Sequence, residues 1–194
     1  MPMIIESIIT TTDPGGAPHI APMGVIMENG SPVLAPFRPS HTLDNLARSG
    51  CAVINHTDDV RIFAGCLTGR SDWPVRPAEK IPGVVLEAAL SHQELTVDRV
   101  TDDAVRPRFD GRIVHTAAYR PFLGFNRAQA AVIEAAILVS RLHMLPWDKI
   151  ERDMAYLEIA VGKTAGPREQ EAWSWLTAHI AEYQRRAASG KGAG

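Results

Sequence analysis

The sequence predicts a mainly β protein with α elements: a small β-barrel of about six antiparallel strands followed by a helical C-terminal appendage. Three observations predict it. Short β-branched runs alternate with turn dipeptides through the first two thirds of the chain, Asn29-Gly30 is a strong two-residue hairpin signal, and apolar spacing turns helical beyond Phe125. A length of 194 residues suits one domain with a sizeable appendage.

Each element follows in order. Met3 to Thr12 is β-branched and stops at the turn chemistry of Asp13-Pro14-Gly15-Gly16. His19 to Glu28 and Ser31 to Phe37 flank Asn29-Gly30, so the chain opens as a three-strand meander. Leu43, Leu46 and Ala47 then share one helical face, with Ser40 or Thr42 as N-cap and Gly50 as the stop. Cys51 to Thr57 returns as a strand. Asp58 or Asp59 caps a second helical segment carrying Val60, Phe63, Ala64 and Leu67, and the proline-containing stretch up to Ile81 reads as loop. Val84 to Val97 and Arg108 to Ala118 read as two long strands. Asn126 to His143, Trp147 to Val161 and Pro167 to Arg186 have helical periodicity. The expected division is 1–124 for the barrel, 125–188 for the helical region and 189–194 for a frayed tail.

Composition excludes several classes. Twenty Lys and Arg against 22 Asp and Glu give a formal charge of -2, which leaves no excess positive charge for a nucleic-acid backbone. The longest apolar stretch is interrupted by Gln129 and Glu134, and no charged leader precedes an apolar run, so a cytoplasmic, non-membrane protein is expected. Cys51 and Cys66 lack CxxC spacing and read as buried thiols. No GxGxxG, GxSxG or HExxH occurs, and Gly162-Lys163-Thr164 has Leu157 where a P-loop needs glycine. The seven histidines lack ligand spacing. Only His41 and His56 are worth testing as a metal pair, and no metal site is assigned.

The segment that carries chemistry runs from Pro36 to Asn55. A strand ends, Arg38, Ser40 and Thr42 follow, and a helix begins with its first amides unpaired. Free N–H groups, the positive end of the helix dipole, hydroxyl donors and a guanidinium make an anion site. An ordinary capped helix with a solvated arginine is the alternative reading.

The run Arg38 to Thr42, Asn45 and Ala52-Val53-Ile54-Asn55 resembles the flavin-reductase-like branch of the FMN-binding split barrels. Ala21-Pro22-Met23-Gly24, Pro36-Phe37-Arg38-Pro39-Ser40, Asn55-x-Thr57-Asp58-Asp59 and Phe125-Asn126-Arg127-Ala128 together resemble the family called domain of unknown function 447. The resemblance implies a split β-barrel homodimer with FMN at the interface. It implies that Arg38, Ser40 and Thr42, with the amides of His41 and Thr42, hold the phosphate, and that Asn45 serves the ribityl chain or helix packing. Met23 and Gly24 would lie against the isoalloxazine, with core filling the alternative for Met23. Asn55, His56 and Thr57 would meet the pyrimidine edge. Asn126 and Arg127 begin the long helix, where Arg127 is the candidate catalytic cation or a surface ion pair. The function implied is an oxidoreductase passing hydride between a reduced cofactor and a small molecule, which needs no dedicated acid or base. The alternatives are a non-catalytic FMN carrier, with a hint of tetrahydromethanopterin-linked one-carbon metabolism, and a structural barrel with an unused anion site.

Overall fold

The computed structural model describes residues 2–190, so four of the six residues of the expected tail lie outside the described residues. The chain divides into two units, residues 2–58 with 71–122 and residues 59–70 with 123–190.

The first unit is a closed six-stranded barrel. Strands β1 (Met3–Thr12), β2 (Pro18–Glu28) and β3 (Ser31–Leu34) form the expected meander, and Asn29 and Gly30 take the positive φ values that the tight turn requires. Helix α1 (His41–Ser49) leads to β4 (Cys51–His56). The barrel order is β1-β2-β3-β8-β7-β4, where β7 is Ser91–Thr101 and β8 is Arg108–Ala118, and β4 closes the ring by pairing antiparallel with β1.

Strand parity sorts the side chains. Ile9, Val25, Ala52, Ile54, Leu95 and Phe109 cluster inside, with Leu43 and Leu46 of α1. Fully burying such a side chain contributes about 1.5–3 kcal/mol. Strand β1 is buried on both faces, since Ser7, Ile8, Ile9 and Thr10 are all fully buried. Its outer face is covered by an excursion for which the sequence predicts loop and one long strand. Val75–Pro77 and Val84–Leu86 instead pair as a small hairpin, β5 and β6, and Glu87–Leu90 turns before β7 begins. The break has local causes. The Thr10 hydroxyl donates to the Val84 carbonyl, buried Asn55 accepts the Leu86 N–H at 2.9 Å, and the Leu90 N–H bonds the His56 carbonyl at 2.8 Å. These bonds hold β6 across β1 and β4 instead of letting it run on into β7.

The second unit is helical: α2 (Arg61–Leu67), α3 (Arg127–Ser140), α4 (Trp147–Thr164) and α5 (Pro167–Ala188). Val60, Ala64, Val132, Ala135, Ala136, Ala172 and Leu176 form its core. Of the two expected caps for α2, Asp59 meets the helix start: its carboxylate accepts the Arg61 N–H at 3.2 Å and its carbonyl the Ile62 N–H at 3.2 Å. Val60 occupies the cap position, and Asp59 is turned onto Arg61 by bonds of 2.6 and 2.9 Å. Among the described residues no helix is long and apolar enough to cross a membrane.

Candidate functional site

Helix α1 is where the sequence reading concentrates, and its start is built by Ser40. Ser40 has extended backbone, its hydroxyl accepts the Leu43 N–H at 3.2 Å, and its carbonyl accepts the Asp44 N–H at 3.1 Å. The amides of His41 and Thr42 precede the first intrahelical donor, the Asp44 N–H, and so have no acceptor within the helix. At the other end Gly50 adopts a left-handed φ of 64° and caps Leu46. The amphipathic helix buries Leu43 and Leu46 in the barrel core, which fixes the direction of its positive end.

Around that end stand several of the predicted residues. Arg38 is half exposed and its guanidinium reaches Asp102 at 2.9 Å. His41 is exposed and meets His19 edge-on, with ring centroids 5.4 Å apart. Burial, and then the nearby His41, hold His19 below the ordinary imidazole value of 6.5. Thr42 is 3% exposed, and its hydroxyl has no hydrogen-bond partner among the described residues. Asn45 is buried and its amide donates to the Thr11 hydroxyl at 3.0 Å, tying α1 to β1.

The other predicted residues are spread along the strands. Met23 packs partly against the barrel core and pairs with Ser7, whose hydroxyl lies 3.4 Å from His56 Nδ1. Burial lowers the His56 pKa, and a hydrogen bond to Gln93 opposes the shift. At Gly24 a side chain is excluded from within, because a Cβ would lie 2.6 Å from Ile4 Cγ2. The Asn55 side chain is committed to the fold: its amide donates to the Ile8 carbonyl at 3.0 Å and the Thr10 hydroxyl at 3.2 Å, while its oxygen takes the Leu86 N–H. Thr57 donates to the Ala88 carbonyl at 2.9 Å.

Asn126 and Arg127 belong to the second unit. Asn126 caps α3, accepting the Ala128 N–H at 2.8 Å and donating to the Thr164 carbonyl at 3.0 Å. Arg127 is exposed in the first turn of that helix.

Sequence reasoning missed a second polar cluster in the barrel unit. His92 and Glu94 are fully buried, with Nε2 and Oε1 3.3 Å apart, and His115 lies directly across from Glu94 in the β7–β8 register. Burial pushes the Glu94 carboxyl up, but the amides of Glu79, Lys80 and Ile81 and the His92 ring together hold it below its usual range. The signal was the alternation His92-x-Glu94 on a strand, which puts both on one face. Its third member is 21 positions further along, reachable only through the pairing of two strands.

Comparison with known proteins bears on the whole chain. A family model described as the N-terminal domain of a protein of unknown function, DUF447, matches residues 5–120, and a second DUF447 model matches residues 126–178. The chain belongs to the DUF447 family. The junction between the two family models falls beside the end of the barrel strands.

Among solved structures this DUF447 protein is similar to the FMN-bound DUF447 protein of Methanosarcina mazei, with a TM-score of 0.81, 20% identity, and coverage of 92% of this chain and 96% of that one. It is similar over its barrel to 2-nitrobenzoate 2-nitroreductase from Pseudomonas fluorescens, at TM-score 0.51 and 20% identity over 61% of this chain and 66% of that one. Flavoredoxin from Methanosarcina acetivorans matches at TM-score 0.51 and 14% identity over 64% and 72%. The barrel is thus of the split-barrel type. No curated protein matches this chain.

Proposed function

We propose that this DUF447 protein binds FMN, with the phosphate at the start of α1, and acts as an oxidoreductase that exchanges hydride with a small molecule. The observation that carries the reading is the α1 terminus: the first amides of the helix, the hydroxyl of Thr42, to which no side-chain hydrogen bond is assigned among the described residues, and a half-exposed arginine two residues before the cap. That donor set suits a phosphomonoester, with Asp44 in the first turn and Asp102 on Arg38 as the carboxylates beside it. The bound FMN of the Methanosarcina mazei relative supports the same cofactor.

Arg38 exchanges its exposed partner Asp102 for the phosphate, at little cost because an exposed ion pair is worth about 0–1 kcal/mol. The Ser40 hydroxyl keeps the Leu43 amide and still has its own hydrogen to donate. Asn45 fixes the helix against β1 so that these donors keep one geometry. Met23 and His56 flank Ser7 on the neighbouring strands β2 and β4 and supply a thioether and an imidazole beside the ring system. The flavin, when bound, supplies the hydride-accepting centre. Two copies of the chain, each completing the other's cleft, are part of the proposal; the exposed Met3, Ile4 and Phe37 of the barrel unit are apolar surface that a second copy would cover.

Purified protein is expected to carry a flavin absorption band and to bleach anaerobically with NADH, NADPH or a reduced deazaflavin. A flavin that binds but resists all three donors at useful rates would make the protein a carrier and overturn the oxidoreductase part. Absence of any flavin binding would overturn the whole reading.

A further inference from the structure

The barrel carries a polar cluster whose side chains are not among those assigned above to the flavin. Period two along β7 puts His92 and Glu94 on one face, and the pairing of Glu94 with His115 on β8 brings the third side chain beside them. One ligand atom from each, two imidazole nitrogens and a carboxylate oxygen, lies within 4.8 Å of the other two.

We propose that His92, Glu94 and His115 form a binding site for a divalent first-row transition-metal ion, independent of the flavin reading. Two imidazoles and a carboxylate are a donor set of intermediate softness, suited to Zn2+ or Co2+ and less to Mg2+ or Ca2+. Bonds of about 2.0–2.1 Å to a tetrahedral ion put neighbouring donors roughly 3.3 Å apart. His92 Nε2 and Glu94 Oε1 stand at 3.3 Å already. His115 Nε2 is buried without a hydrogen bond; it lies 3.4 Å from Glu79 Oε1, in a geometry that does not make one. A buried nitrogen without a hydrogen bond costs stability unless something supplies one, and a cation bound through it would do so. Glu79 is then placed to add an outer carboxylate.

The surroundings have the form of a supporting shell. The amides of Glu79, Lys80 and Ile81 donate to Glu94 at 2.6, 2.7 and 3.0 Å, which fixes the carboxylate and keeps it ionised. His92 Nδ1 lies 2.8 Å from the Tyr119 hydroxyl, the second contact that orients a ligating imidazole. The competing arrangement is a hydrogen-bonded chain in which Tyr119 donates to Nδ1 and Nε2–H donates to Glu94. The ion replaces that second bond. Neutral His92 then carries its proton on Nδ1 and donates it to Tyr119, whose half-exposed hydroxyl turns its own hydrogen to solvent. No proton is gained or lost in the exchange.

The test uses full-length, tag-free protein stripped with chelator and titrated with Zn2+ or Co2+. One equivalent per chain is expected at micromolar free metal, with Co2+ giving d–d bands at longer wavelength than the flavin. The imidazole 15N resonances of His92 and His115 shift with Zn2+ while that of exposed His143 stays. His115→Ala and His115→Gln lose the stoichiometric site at least a hundredfold, with the metal-free melting temperature as the check on folding, and His143→Ala keeps it. Less than stoichiometric binding by the wild type, unmoved His92 and His115 resonances, or unchanged affinity in a folded His115 variant overturns the proposal and leaves the cluster as a hydrogen-bonded staple for residues 78–83.

Discussion

Asn55 illustrates how one side chain can be read two ways from sequence. A polar residue ending a Val-x-Asn run suggests a ligand contact, yet here it sits fully buried with its amide on β1 and its oxygen on the Leu86 N–H. Removing it leaves a buried donor unpaired, so Asn55→Ala is expected to cost roughly 3 kcal/mol in urea unfolding. A loss under about 0.5 kcal/mol would place its role elsewhere. Asp59 is the counterpart in the helical unit: burial raises its pKa, but its bonds to Arg61 win and hold it below 3.8. Asp59→Asn should cost about 2 kcal/mol at neutral pH by thermal or chemical unfolding. Cys66 is in no disulfide, and burial pushes its thiol up to about 11, so alkylation of the folded protein at pH 8 should be slow and should accelerate on unfolding.

At the scale of elements, α1 was legible because its signals are local. A serine three residues before Leu43, apolar residues at helical spacing and a terminal glycine are all in the sequence, and the structure uses Ser40 and Gly50 as cap and stop. The β5–β6 hairpin was not legible. Prolines at 74 and 77 argue against a strand interior, and only edge pairing with the segment Val84–Leu86 makes the strand possible. The division of Val84 to Val97 depends on bonds from Thr10, Asn55 and His56, none of them neighbours in sequence. For the same reason the His92, Glu94 and His115 cluster escaped, whereas the proposed phosphate site is drawn from one continuous run. Ser40→Ala removes the cap and is expected to cost about 1 kcal/mol, and Ser40→Gly only a few tenths. A loss near zero for Ser40→Ala would show that the hydroxyl does not carry the cap.

On the acid side, His19, His56, Asp59 and Glu94 give the stability of the molecule a pH dependence of one sign. His19 and His56 have folded pKa values below 6.5, so the unfolded chain binds their protons first and stability falls as pH drops below 6.5 toward the folded values. Asp59 and Glu94 are depressed from 3.8 and 4.5, and their contributions are lost at lower pH still, as each folded carboxylate protonates. Thermal unfolding of flavin-free protein should therefore show falling stability in two acid windows. A maximum at pH 5 would contradict the imidazole part. The most direct test of the central claim, phosphate recognition by the start of α1, compares FMN with riboflavin in wild type, Arg38→Ala and Thr42→Ala by fluorescence titration. Wild type should prefer FMN by at least tenfold, and each variant should lose most of that preference while riboflavin affinity changes little. Equal losses for the two ligands, or no preference in the wild type, would contradict it.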